Sequence, residues 1–153
     1  MVGLISDTHG LLREEAVRAL RGSELIIHAG DVGQPEILEQ LRRLAPLVVV
    51  RGNIDTAAWT EELPSTAVAE IEGRGIYVLH DLNALDLDPA AAGFGAVISR
   101  HSHEPKQFEK SGVLYVNPGS AGPRRFHLPV GVARLDVRTQ PWKVEFVEIE
   151  EGR

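Results

Sequence analysis

Side chains of the types that bind metal ions follow apolar runs at five separate places in the sequence. They are Asp7 and His9 after the first run, and then Asp31, Asn53, His80, His101 and His103. If each run forms a strand, these side chains lie at one edge of a sheet, where open α/β folds bind their ligands. We therefore expect them to form a single site.

The number and spacing of these residues favour two metal ions rather than one. Asp7 and His9 can face the same ion if the residue between them points away, and His101 and His103 repeat that spacing. Seven candidate ligands are too many for one tetrahedral ion but suit two ions that share a carboxylate. Asp31 is the candidate for the shared ligand. A lone histidine at a strand end is usually an ordinary loop residue, so the prediction depends on the whole set.

A site of this kind would hydrolyse phosphate esters. Two divalent ions, two carboxylates and a bridging hydroxide together leave a net charge of about +1, which attracts an anion. The hydroxide is a nucleophile, and ions roughly 3.5–4 Å apart can hold a phosphoryl oxygen and stabilise the in-line transition state. Asn53 could bind a metal through its oxygen while its amide hydrogens face the phosphate. The sequence therefore predicts metal-assisted phosphoester hydrolysis.

Hydrophobic patterning predicts the elements that would position these residues. Apolar runs predict strands at 2–6, 25–28, 47–50, 66–71, 76–79, 96–99, 107–109, 113–116, 130–137 and 143–149. Helices are predicted at 13–20 and 35–44, with a short third helix at 89–92 that Asp88 would cap. The order changes from βαβαβ to mainly strands. This indicates an α/β sandwich of two mixed β-sheets packed face to face with flanking helices, as a single domain spanning residues 1–153.

Composition narrows the classes of protein and of partner. The chain has 153 residues and no cysteine, so disulfides and thiolate metal sites are excluded. A formal charge of −6 argues against a large nucleic-acid surface, while a small phosphorylated substrate stays open. The first residues show neither a signal peptide nor a membrane span, so we expect a cytoplasmic protein without membrane contact.

Five motifs resemble those of the calcineurin-like metallophosphoesterases in order and rough spacing. They are Asp7-Thr8-His9, Gly30-Asp31, Gly52-Asn53-Ile54-Asp55, His80 and His101-Ser102-His103. A sixth segment, 117–120 (Asn-Pro-Gly-Ser), resembles the small YfcE-like phosphodiesterase branch of that superfamily. The resemblance implies one ion bound by Asp7, His9, Asp31 and His103, and a second bound by Asp31, Asn53, His80 and His101.

The same resemblance implies the ions and the activity. Manganese is the expected metal, with nickel, iron, zinc or cobalt as alternatives. The chain would be a phosphodiesterase or phosphatase that acts on a small phosphodiester, with catalytic roles for Asp31, Asn53 and His9. Arg100 and Arg124, together with Asn53, are the candidate substrate contacts.

The sequence departs from the family pattern at three positions. Ile54 stands where many relatives have a histidine that protonates the leaving group, which favours substrates with good leaving groups. Asp81 replaces a glycine after the fourth motif and is expected to be a solvated turn residue or to orient a ligand histidine. Arg100 replaces a glycine before the histidine pair, where it could contact a phosphate or strain the backbone.

A second class of function is also compatible with the resemblance. The superfamily contains a retromer subunit that uses this fold as a protein-interaction scaffold. A scaffold does not need all seven ligands, which favours the enzyme. The natural substrate stays open, and so does the oligomeric state, for which Trp142 and the C-terminal strands could offer an edge.

Overall fold

Two five-stranded sheets lie face to face, and two helices cover the outer face of the first sheet. The computed structural model describes residues 1–100, 102, 104–124 and 127–149. Its strands are β1 (Val2–Ile5), β2 (Leu25–His28), β3 (Leu47–Val49), β4 (Thr66–Ile71), β5 (Arg74–Leu79), β6 (Phe94–Ile98), β7 (Lys106–Lys110), β8 (Val113–Asn117), β9 (Gly131–Asp136) and β10 (Lys143–Glu148). The helices are α1 (Glu14–Leu20) and α2 (Pro35–Leu44), and two 3₁₀ turns span Ala58–Glu62 and Leu82–Ala84.

Both sheets are mixed. The first has the order β10-β9-β1-β2-β3, in which β1, β2 and β3 are parallel and β9 and β10 are antiparallel to their neighbours. The second has the order β4-β5-β6-β8-β7, with β5, β6 and β8 parallel at its centre. The predicted α/β sandwich is therefore confirmed. In each sheet the parallel strands end at the same edge.

The first sheet lies between two apolar cores because side chains alternate along its strands. In β1, Val2 and Leu4 face the core between the sheets, while Ile5 faces the helices. Gly3 also lies under α1, since a Cβ there would be 2.6 Å from Leu20 Cδ2. Such close approach fixes α1 against the strand that leads to Asp7. None of the helices among the described residues is long and apolar enough to span a membrane.

One prediction about a peripheral segment is wrong. Residues 89–92 form a turn rather than a helix, because the Phe94 N–H donates to the Pro89 carbonyl and closes the segment after one turn. Asp88 still accepts hydrogen bonds from the next backbone N–H groups, of Ala90 and Ala91. Trp142 itself is buried in the core between the sheets, while β10, the C-terminal strand that follows it, forms one edge of the first sheet.

We predict that Leu4→Ala lowers the free energy of unfolding by about 2–5 kcal/mol, because it leaves a cavity in the core between the sheets. Val68→Ala is the control, since Val68 is 58% exposed and should lose about 1 kcal/mol or less. Urea unfolding of both variants measures the difference. Equal losses would contradict the packing described for β1.

Candidate metal centre

Two loops at the carboxyl ends of β1 and β2 form the centre of the site. β1 and β2 are parallel neighbours, so their ends lie side by side. The pairing continues beyond the strands: the Asp7 N–H donates to the Gly30 carbonyl and the His9 N–H to the Asp31 carbonyl, both at 3.0 Å. Asp7, His9 and Asp31 are thereby held on one short stretch of paired backbone.

The backbone at these residues is strained. Asp7, His9 and Asp31 have φ angles of 55°, 47° and 59°, in the left-handed region. Such residues cost of order 1–3 kcal/mol each and cluster at functional sites. The loops also meet closely, because a Cβ on Gly33 would lie 2.2 Å from the Gly10 nitrogen. Glycine at position 33 is thus required for the approach of the two loops.

The side chains of these residues converge on the Asp31 carboxylate. Ligand atoms of Asp7, His9 and Asp31 all lie within 4.8 Å of one another, an arrangement that could hold a metal ion. His9 Nε2 is 3.6 Å and His80 Nε2 is 3.4 Å from the same atom, Asp31 Oδ2. His80 follows β5 in the second sheet, so the centre draws on both layers of the sandwich.

His80 is oriented in the way that metal-binding histidines are. Its Nδ1 lies 2.6 Å from the Ala29 carbonyl, which can only accept, so Nδ1 carries a proton. The other nitrogen, Nε2, is buried and has no hydrogen-bond partner among the described residues. In the neutral ring Nε2 directs a lone pair toward Asp31 Oδ2, which is repulsive unless a proton or a cation lies between them. The donor set therefore fits a metal ion.

Arg100 also contacts the two carboxylates of the centre. Its Nε is 3.0 Å from Asp7 Oδ2 and its Nη2 is 3.4 Å from Asp31 Oδ2. The backbone at Arg100 does not have the strain that replacing a glycine could cause, since Arg100 is not among the described non-glycine residues with positive φ. Its side chain is directed at the carboxylates rather than at solvent alone.

The environments of the two carboxylates move their pKa values in opposite directions. Burial raises the pKa of Asp7 to about 7, even though the Arg100 guanidinium opposes this rise. Burial also acts to raise the pKa of Asp31, but the nearby His80 imidazole and the hydrogen bond from the Ile54 N–H outweigh it and hold that pKa well below its usual range. Burial acts to lower the pKa of His80, but its contacts with Asp31 and with the Ala29 carbonyl outweigh burial and leave that pKa above its ordinary value.

The Asp55 carboxylate holds the loop that carries Asp31. It accepts hydrogen bonds from the backbone N–H groups of Asp31 (3.0 Å), Val32 (3.0 Å), Gly33 (3.3 Å) and Gly52 (2.8 Å). Asp55 is itself buried. One side chain therefore fixes the loop after β2 to the loop after β3.

The remaining predicted residues lie in different settings. Asn53 is exposed in the turn between Gly52 and Ile54, next to the N–H that donates to Asp31 Oδ1. Arg124 is exposed, and its Nη1 lies 3.4 Å from the Leu128 carbonyl. Asp81 is an exposed turn residue that accepts a hydrogen bond from the Asn83 N–H. The predicted ligands His101 and His103 lie outside the described residues.

Comparison with known proteins identifies the family. The model of the calcineurin-like phosphoesterase superfamily domain matches residues 1–140. The chain belongs to this superfamily. It is 35% identical over 149 residues to a probable metallophosphoesterase of Methanothermobacter thermautotrophicus, which covers 89% of this chain and 86% of the relative. The predicted family is confirmed, and membership supports a hydrolase that uses divalent metal ions.

Solved structures of a phosphodiesterase, a phosphoesterase and Vps29 share the fold. An archaeal phosphodiesterase has a TM-score of 0.79 at 22% identity, over 95% of this chain and 99% of that one. The phosphoesterase YfcE of E. coli has 0.68 at 21%, over 89% and 88%. Vps29 of Entamoeba histolytica, complexed with zinc, has 0.72 at 21%, over 96% and 98%. At these identities the likeness establishes the fold alone.

Thr8 and Asn117 orient the centre together with His28, and the sequence did not assign that role to Thr8 or Asn117. His28 accepts the Gly30 N–H at Nδ1, so Nε2 carries the proton and donates to Thr8 Oγ1, which donates to the Val32 carbonyl. This chain of hydrogen bonds joins the loop that carries Asp7 to the loop that carries Asp31. Asn117 donates to the Ser102 carbonyl at 2.7 Å. Ser102 lies between the predicted ligands His101 and His103 in the sequence. A buried polar residue beside a motif was the available signal.

We predict that Asp55→Asn destabilises the protein by at least about 3 kcal/mol, because an amide NH₂ group then faces backbone donors and leaves some of them unsatisfied. Asp88→Asn is the matched control. Asp88 also accepts two backbone N–H groups, but it is exposed, so water can replace the lost bonds. Urea unfolding of both variants decides whether Asp55 has this role; similar small losses would refute it.

His28 predicts a pH dependence of stability. Burial lowers its pKa from 6.5 to about 3, so below pH 6.5 the unfolded chain takes up a proton that the folded chain does not. Stability from this group is present above pH 6.5 and is lost as the pH falls toward 3. The stability difference between the wild type and His28→Gln should therefore shrink by about 2 kcal/mol between pH ~7 and ~5.

Urea unfolding of the metal-free proteins at the two pH values measures this difference. His127→Gln is the control, because His127 is exposed and should show no such change. A difference for His28→Gln that stays constant with pH would show that the ring is not kept neutral in the folded chain.

Proposed function

We propose that this chain is a dinuclear metal-dependent phosphodiesterase that hydrolyses a small phosphodiester. The observation that carries the proposal is the convergence on Asp31 Oδ2 of His9 Nε2 and His80 Nε2, at 3.6 and 3.4 Å. The family resemblance puts His9 with one ion and His80 with the other. A carboxylate oxygen between them is suited to be shared by two ions.

The proposed ligand sets are those that the resemblance implies. Asp7, His9, Asp31 and His103 would hold one ion, and Asp31, Asn53, His80 and His101 the other, with manganese as the proposed metal. When bound, the two ions would polarise a phosphoryl oxygen and lower the pKa of a water molecule so that it can attack phosphorus. The two strained loops and the Asp55 carboxylate keep the ligand side chains in place before the ions arrive.

Asn53 would contact the substrate, and its neighbour Ile54 bears on which leaving groups are favoured. Asn53 can donate its amide hydrogens to a phosphate oxygen while its own oxygen faces the centre. Ile54 is 45% exposed and has no proton to give to the leaving group. Protonation of that group by water favours substrates whose leaving groups are stable as anions. Arg124, exposed on the loop that follows β8, is a further candidate contact for the phosphate.

The alternative function is that of a protein-interaction scaffold of the same fold. The Vps29 neighbours support it through shared architecture only, at identities near 20%. The burial of Asp7, Asp31 and His80, with His80 Nε2 lacking a hydrogen-bond partner among the described residues, argues against it. Burying charged groups is costly, and a scaffold has no use for them. We therefore favour the enzyme.

The expected result is turnover of bis-p-nitrophenyl phosphate by the purified protein with Mn²⁺. Asn53→Ala should reduce kcat on the order of 10²-fold, as the loss of one transition-state donor does, and leave the unfolding free energy almost unchanged because the side chain is exposed. Thr56→Ala, an exposed change in the same loop, is the control and should retain full turnover.

Two outcomes would count against the proposal. A folded sample without activity toward this diester or p-nitrophenyl phosphate, with any divalent ion, would favour the scaffold. Full turnover by Asn53→Ala would refute the double role of that side chain, and a preference for the monoester would indicate a phosphatase.

A further inference from the structure

Arg100 is a position, among the described residues of the centre, where the residue type departs from the family pattern and the side chain also contacts proposed ligands. It follows β6, and its backbone N–H donates to the His80 carbonyl at 2.8 Å. The side chain is 20% exposed. Its base is therefore fixed beside a proposed ligand, while its guanidinium reaches inward from the rim.

One planar guanidinium group spans both carboxylates. Nε lies 3.2 and 3.0 Å from the two oxygens of Asp7, and Nη2 lies 3.4 Å from Asp31 Oδ2. Asp31 Oδ2 is the oxygen on which His9 and His80 also converge. Guanidinium donors and metal ions use the same lone pairs of a carboxylate, so both cannot engage these oxygens fully at once.

We propose that Arg100 competes with a divalent cation for Asp7 and Asp31, and so raises the metal concentration at which the centre fills. The inference rests on the proposed function, because it takes these carboxylates as metal ligands. The guanidinium and a divalent ion are both cations that engage the same carboxylate oxygens. Filling the centre therefore requires the guanidinium to move off the carboxylates.

The charges explain the direction of the effect. Two carboxylates with Arg100 in contact carry a formal charge of −1, and without it they carry −2, which attracts a divalent cation more strongly. The same contact compensates two buried acids when no cation is bound. Arg100 should thus stabilise the metal-free protein and weaken metal binding, two effects with a single cause.

Calorimetric titration of the metal-free protein with Mn²⁺ tests the competition. Arg100→Gln should bind Mn²⁺ more tightly than the wild type, on the order of tenfold, the effect that one nearby unit charge has on a proton equilibrium. Arg100→Lys should lie between them, because it keeps the charge but loses the planar fork. Arg138→Gln is the matched control. Arg138 pairs with Asp136 at the end of β9 that lies beside the start of β1, far from the centre, so this change should leave Mn²⁺ binding unchanged.

Thermal unfolding supplies a second measurement that does not depend on activity. Metal-free Arg100→Gln should unfold at a lower temperature than the wild type, and saturation with Mn²⁺ should shrink that gap. If the wild type binds Mn²⁺ and both Arg100 variants bind it no more tightly, the competition is wrong and the metal centre stands. If neither the wild type nor the variants bind any divalent ion, the proposed function fails with it.

Discussion

The hydrogen bonds to the Asp55 carboxylate are the constraint on which the centre depends. Asp31 lies in a loop where Gly30 has φ of 105° and Asp31 itself 59°, a conformation that residues with a side chain rarely adopt. Four backbone N–H groups around this loop and the next one donate to Asp55. The donors of Asp31 and Val32 are buried and would otherwise lack a partner, so Asp55 stabilises the strained loop and orients the Asp31 carboxylate.

The sandwich architecture is needed because the centre uses both sheets. Asp7, His9 and Asp31 come from the parallel strands of the first sheet, whereas His80 and Arg100 follow β5 and β6 of the second. The contact of His80 Nδ1 with the Ala29 carbonyl joins the two layers directly. The centre lies at the edge where the parallel strands of both sheets end, and the core between the sheets packs behind it.

The sequence predicted the elements with strong local signals. The strand at Leu25–His28 and the helix at Pro35–Leu44 have the predicted bounds, because an apolar run stops at a glycine and because a proline begins the first helical turn. The 3₁₀ turn at Leu82–Ala84 was not predicted, since three residues give no periodicity. Strand ends placed Asp7 and Asp31, but the role of Asp55 depends on how the loops after β2 and β3 meet, which no local pattern contains.

The pKa values of Asp7, Asp31 and His80 indicate that the centre has too little positive charge for its buried carboxylates. Asp31 stays ionised, whereas Asp7 has a pKa of about 7 despite its ion pair with Arg100, and the pKa of His80 is raised. Two groups thus hold protons more strongly than usual because the protein supplies less positive charge than these buried carboxylates require. Water cannot compensate them at this depth, and one guanidinium compensates them only in part. A divalent cation would bind the same carboxylate oxygens and His80 Nε2, and neither Asp7 nor His80 would then need a proton.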